Sequence, residues 1–222
     1  MRRTLLSSGF SLLEMAVSLT VIALIVAALT VTQQIKTRLE LNRVIDDRAR
    51  LEEALTSFST QYSALPGDFW NAAAIFGADK TKGGNGNSLL EKDAENGDET
   101  LLFWQHLQLA GLIEGTYDGT TDGQGGRMAA SVPKAFYGAG TEDYWGDTEN
   151  APYVVAERPS GGGAFSPAQA YDYDTRYDDQ NPLAGTIRAR DPEGEENACI
   201  SVAGKYRLDN ESDRACRLYF LR

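Results

Sequence analysis

Oxygen donors are the most concentrated chemistry in this chain. Tyr171-Asp172-Tyr173-Asp174 and Asp178-Asp179-Gln180-Asn181 place carboxylates, amides and phenols within one short segment, the hard-donor set that Ca²⁺ prefers. Asp172, Asp174, Asp178 and Asp179 are therefore the candidate calcium ligands, although their spacing fits no EF-hand. Asp118 with Asp122, and Asp93 with Glu95 and Asp98, form rival acidic clusters, and each of these groups reads equally well as a solvated loop. Acid–base and nucleophilic chemistry has less to work with. His106 is the only histidine, and there is no nucleophile elbow, no Gly-rich phosphate loop with its Lys, and no histidine metal pair. The expectation is a chain without enzymatic activity and without a cofactor beyond calcium.

A second ionisable group stands out by its surroundings. Glu14 lies inside an apolar run that continues to Val31, behind a short leader carrying Arg2 and Arg3. Placing an ionised side chain at a bilayer centre costs roughly 2.5 to 3.5 kcal/mol on insertion scales, so an intramembrane Glu implies a partner and a purpose. The run is longer than the roughly 7 to 15 residues of a signal-peptide core, and its length suits a bilayer of roughly 30 Å. Basic residues ahead of it keep that end cytoplasmic.

The string Ser8-Gly9-Phe10-Ser11-Leu12-Leu13-Glu14 followed by an apolar helix resembles the class III signal of type IV pilin-like proteins. The resemblance implies cleavage between Gly9 and Phe10 by a prepilin peptidase, methylation of the new Phe10 amine, and a role for Glu14 in aligning each subunit with its neighbour. It implies a structural subunit, a minor pilin or a pseudopilin, of a type IV pilus or a type II secretion-like filament. Its partners would be other pilin-like subunits in a helical filament and an inner-membrane assembly platform. The implied placement is a single pass through a bacterial inner membrane with the globular part in the periplasm, then a periplasmic or extracellular filament. One departure is that no Pro lies in the apolar helix, where many major subunits carry one. Some type II secretion pseudopilins hold calcium in a C-terminal loop, which gives the Asp172 to Asp179 segment a second motive. The competing class is a membrane-anchored periplasmic binding module that does not polymerise.

That topology puts Cys199 and Cys216 outside the cytoplasm, where a disulfide is the natural expectation. It resembles the C-terminal disulfide loop of many pilins. Two Cys and one His make no four-ligand zinc site without carboxylates. The formal net charge is −11, and from Leu65 onward 26 acidic side chains face 14 basic ones. Such a surface repels phosphate backbones, so nucleic acid is excluded as a partner of it.

The elements that must position these groups follow from periodicity. Leu41, Val44, Leu51, Leu55, Phe58 and Tyr62 recur at helical spacing with Asp46, Asp47, Arg50, Glu52 and Glu53 between them, which predicts an amphipathic continuation of the apolar helix. Pro66-Gly67 ends it. A short helix over 68–76 is followed by a Gly-rich stretch over 77–96. A second helix, opened by Asp98, Glu99 and Thr100, runs through Trp104 and His106 to a stop at Gly115. Leu65-Pro66-Gly67-Asp68-Phe69 and Phe103-Trp104-Gln105-His106-Leu107 look like a recurring arrangement in pilin-like subunits, and a core role docking this helix beside the first is expected. Tyr153 to Val155, Gly185 to Arg190, Cys199 to Ala203 and Arg217 to Leu221 have strand composition, and 115–177 reads as long loops.

The expected fold is thus α+β: a long N-terminal helix packed on a small C-terminal antiparallel sheet with long loops. Its parts are a leader over 1–9, a transmembrane and assembly half over 10–33, an amphipathic half over 34–65, and a globular domain over 66–222.

Overall fold

The computed structural model describes residues 11–93, 97–121, 126–132, 134–146, 151–212 and 214–221, without the side chains of 29–38 and 93. The fold is α+β, with helices and a small antiparallel sheet. The chain divides into two compact units, Met1–Asn42 and Arg43–Arg222. Helix α1 (Leu12–Tyr62) supplies residues to both.

From Leu12 to Val26 the large apolar side chains of α1 are exposed on every side, from Leu12 at 91% to Val21 at 48%. Among the described residues no helix is long and apolar enough to cross a membrane. The expected single-pass inner-membrane placement is corrected by this finding. Glu14 interrupts the apolar stretch near its start, and by Glu40 the helix has become charged.

In the second unit α1 turns amphipathic, and Val44, Leu51, Leu55 and Phe58 are buried at spacings of seven, four and three. Burying each side chain of that size contributes about 1.5 to 3 kcal/mol, which holds this stretch in place far more firmly than helix propensity would. The helix ends at Tyr62, Ser63 follows with a φ of 51°, and the Leu65-Pro66-Gly67 turn begins the short α2 (Ala72–Phe76).

A two-stranded ladder of β1 (Lys92–Asp93) and β2 (Gly97–Asp98) leads into α3 (Glu99–Leu109). Asp98 caps α3 by accepting from the Thr100 N–H, as its sequence suggests. The helix stops at Leu109, earlier than the expected Gly115, because Gly111 leaves the helical region at a φ of 72°.

The main sheet has the order β3 (Phe136–Gly140), β4 (Tyr153–Glu157), β6 (Arg217–Leu221), β5 (Ile187–Arg190), antiparallel throughout. Register rows assign its two faces. Ala139, Val154, Phe220 and Ile187 share the inner face, as do Tyr137, Ala156, Leu218 and Ala189. The second half of α1 packs there, with the Tyr137 hydroxyl donating to Asp47 Oδ2 at 2.9 Å and the Arg48 guanidinium 5.7 Å from the Phe220 ring. Tyr153, Val155, Tyr219 and Leu221 form the outer-face cluster, with Trp145 packed against it.

Two sequence expectations fail here. Apart from the expected strand at Tyr153 to Val155, which forms as β4, the 115–177 segment is not all loop, for it also contains β3 and α4 (Pro167–Tyr177). Residues 199–203 form no strand and contribute one isolated bridge, Ile200 with Tyr206. The Asp191 side chain accounts for the latter: it accepts the backbone N–H groups of Asn197, Cys199 and Ile200, curling the segment instead of extending it.

Candidate functional site

Glu14 sits in the first turn of α1, where a carboxylate is favoured by the helix dipole. Ser11 opens the helix by accepting from the Leu13 N–H at 3.2 Å, and Ser18 donates back to the Glu14 carbonyl at 2.7 Å. Glu14 is exposed among ten exposed large apolar side chains between Leu12 and Val26. Gly9 and Phe10, the expected cleavage pair, lie outside the described residues.

Cys199 and Cys216 form a disulfide across a separation of 17 residues. A loop of that size contributes about 3 kcal/mol in the chain-entropy model. Cys216 directly precedes β6, and its carbonyl accepts from the Ala164 and Phe165 N–H groups, so the bond ties the curled 199–206 segment to the sheet.

Three of the four candidate calcium ligands come together. Asp174, Asp178 and Asp179 each place an oxygen within 4.8 Å of the others. Asp172 points elsewhere, into an ion pair with Arg176 at 2.9 Å. The trio already serves the fold. Buried Asp174 accepts from the Gln180 N–H at 3.0 Å and the Tyr206 hydroxyl at 2.8 Å; Asp178 accepts from the Ile187 N–H at 2.6 Å; Asp179 accepts from the Asn181 N–H at 2.9 Å. Burial raises the Asp174 carboxyl above its ordinary range, and desolvation together with Asp174 raises the Tyr206 phenol. A cation could take three carboxylate oxygens here, but the carboxylates do not depend on one, because backbone and phenol donors hold them.

Of the rival clusters, Asp118 is a turn cap. The Thr121 hydroxyl and the Thr120 and Thr121 N–H groups donate to it and lower its carboxyl to about 2. Asp122, Glu95 and the Asp93 side chain lie outside the described residues.

A buried polar network is the feature that residue types alone did not disclose. Asp68 accepts from the Gly86 and Asn87 N–H groups through Oδ1 and from Ser88 through Oδ2. Glu99, fully buried, accepts from the Asn85 and Glu91 N–H groups. His106, also fully buried, takes the Gly67 N–H on Nδ1 at 2.9 Å and reaches the Lys82 carbonyl with Nε2 at 3.0 Å. That pattern requires a neutral ring with its proton on Nε2. Burial lowers the His106 pKa to about 4 and raises Asp68 and Glu99 above their ordinary values.

The network folds the Gly-rich 77–91 loop onto the Pro66-Gly67 turn. Gly67 is required there, since a Cβ would lie 2.3 Å from the Glu99 carbonyl at a φ of 89°. The recurring strings around Gly67-Asp68 and His106 are thus two sides of one scaffold, and the alternating Gly and Asn of 83–87 was its readable sign. The ring of His106 also stacks with that of Phe58 at 6.5 Å, which docks α3 beside the second half of α1 as expected.

No family model, curated protein or solved structure matches the chain.

Proposed function

We propose that the chain is a filament subunit of the type IV pilin-like class, acting as a minor pilin or pseudopilin. It assembles with other such subunits through the first half of α1. One observation carries this reading: ten large apolar side chains between Leu12 and Val26, each 48% to 91% exposed, surround a single carboxylate, Glu14. An apolar surface of that extent marks an association site. Covering ten half-exposed side chains would contribute on the order of 10 kcal/mol per copy, comparable with the roughly 4 to 15 kcal/mol cost of association. Apolar burial alone thus supports association without fixing register.

Glu14 supplies the register. After processing between Gly9 and Phe10 by a prepilin peptidase, the Phe10 amine of one copy meets the Glu14 carboxylate of the next inside an apolar bundle. The pair is strong where water is excluded, and an unpaired Glu14 would be costly there, so misaligned copies are rejected. An assembly platform brings the copies together.

The test has two arms. The mass and N-terminal sequence of the protein from cells with and without prepilin peptidase should show a methylated Phe10 terminus in the first only. Glu14→Ala should be processed normally, keep its fold, and enter filaments at least tenfold more slowly. An intact Met1 in both strains, or normal filament entry by Glu14→Ala, overturns the reading and leaves a binding module that does not polymerise.

A further inference from the structure

The outer face of the main sheet carries a charge that no described residue pairs with. Arg190 stands directly across from Arg217 in the β5–β6 ladder, a like-charge pairing that is unfavourable unless each charge finds an anion. Arg217 is well supplied. It lies 3.5 Å from Glu157 Oε2 and 3.3 Å from Glu193 Oε1, and donates to the Asp191 carbonyl at 3.1 Å. Arg190 has no hydrogen bond and no ion pair among the described residues. Its guanidinium rests 4.1 Å from the centre of the Tyr144 ring, an arrangement that fixes its plane and leaves its N–H fork unused.

The carboxylate nearest in sequence is turned to other donors: Asp191 accepts the Asn197, Cys199 and Ile200 N–H groups. Arg190 faces a groove of about 640 Å³ whose walls include Tyr144, Trp145, Leu183 and Pro192, a size that suits a small organic ligand or one side chain with its neighbours.

We propose that this groove binds a ligand bearing a single carboxylate on an apolar or aromatic body. The carboxylate pairs with the planar fork of Arg190, and the body lies along Trp145, Leu183 and Pro192. A planar two-oxygen anion matches a guanidinium edge with two parallel hydrogen bonds. The groove wall also carries Asp191, Glu193, Glu195 and Glu196, so an anion is held only where it seats directly on the Arg190 fork, and the repulsion, which grows with ligand charge, disfavours a dianion such as phosphate more than a single carboxylate. The ligand is either a free organic acid or an acidic side chain beside an apolar one on a partner peptide. This site is independent of α1 and of the filament reading.

The indole N–H signals of Trp70, Trp104 and Trp145 in ¹H–¹⁵N spectra of the full chain, kept dispersed in detergent, provide the readout. Phenylacetate and the peptide acetyl-Phe-Glu-amide are the two carboxylate probes; phenylacetamide and inorganic phosphate are the controls, all at equal ionic strength. At least one carboxylate should shift Trp145 saturably while Trp70 and Trp104 stay still, and the tighter of the two names the source. Arg190→Gln should weaken that binding at least tenfold. Arg190→Lys, which keeps the charge and loses the fork, should also weaken it, by a smaller factor. No saturable Trp145 shift with either acid overturns the proposal. So does equal binding of phosphate or phenylacetamide, or an undiminished shift in Arg190→Gln with the other two indole signals unmoved.

Discussion

The two halves of α1 share one backbone geometry and have opposite surroundings. From Leu12 to Val26 the apolar residues point in every direction and remain exposed. From Val44 to Phe58 they keep to one face and are buried, and even a carboxylate, Asp47, is drawn in to meet Tyr137 and the Ser131 N–H. The lesson is that apolar content does not decide burial within a chain; periodicity does. A helix that is apolar all round cannot be covered by one small sheet and must find its cover elsewhere, whereas a one-faced helix is satisfied within its own unit.

The sharpest way to break the comparison is to truncate one side chain in each half. Phe58→Ala should destabilise the Arg43–Arg222 unit by about 3 to 5 kcal/mol, the cost of a buried phenyl cavity, read from denaturant unfolding. Ile22→Ala should leave that unfolding midpoint within about 0.5 kcal/mol while reducing self-association in sedimentation. Equal effects would mean that the halves are not distinct.

The His106 network sharpens the contrast by pH. The folded pKa of about 4 lies below the ordinary histidine value of 6.5, so its contribution is complete above pH 6.5 and is lost as the pH falls toward 4. The loss amounts to at most on the order of 3 kcal/mol. Asp68 and Glu99, raised by burial, act in the opposite sense, since lowering the pH removes the cost of holding them ionised. The stability difference between wild type and His106→Gln, followed from pH 7 to 4, should therefore shrink as the pH falls. A pH-independent difference would assign His106 to packing alone.

Asp47→Ala strands the Tyr137 hydroxyl and the Ser131 N–H, and should cost about 1 to 3 kcal/mol. Asp47→Asn, which still accepts, should cost less. The smallest effect belongs to Glu52→Ala, which removes the exposed partner of the Arg48 ion pair at 2.7 Å. It should change stability by no more than about 0.5 kcal/mol, measured by a double-mutant cycle with Arg48→Ala.

Elements with a strong period or a cap were legible in the sequence. The continuous run of α1, the Asp98 cap of α3, and the apolar strings of β4, β5 and β6 each carry a local signal. β3 did not, because Phe136-Tyr137-Gly138-Ala139-Gly140 has two glycines in five residues, a composition that weakens a strand. It forms because its neighbours need the room: a Cβ at Gly140 would lie 2.4 Å from the Tyr153 hydroxyl, and one at Gly138 2.9 Å from Val155. α4 was missed although its signal was present. Ser166 and Gln169 make a reciprocal capping box around Pro167, but the Tyr-Asp alternation that follows obscures the helical period. Of the candidate site, the proximity of Asp174 to Asp178 and Asp179 could be read from spacing, while the loss of Asp172 to Arg176 could not. An i,i+4 pair on an exposed helix face competes for it, and that competition exists only once α4 has formed.

The strand order has a consequence for biosynthesis. β4 and β5 are both present in the chain well before residues 217–221, yet neither pairs with the other; each pairs with β6, which lies between them. A chain emerging from its N-terminal end can therefore form α1 and α3 early, while the sheet stays incomplete until its last strand arrives. For that interval β4 and β5, with Val154 and Ile187 on the face against which α1 packs, have no strand between them to make that face continuous. A nascent chain halted before Arg217 should accordingly be captured by a hydrophobic-binding chaperone, and released once Leu221 has emerged.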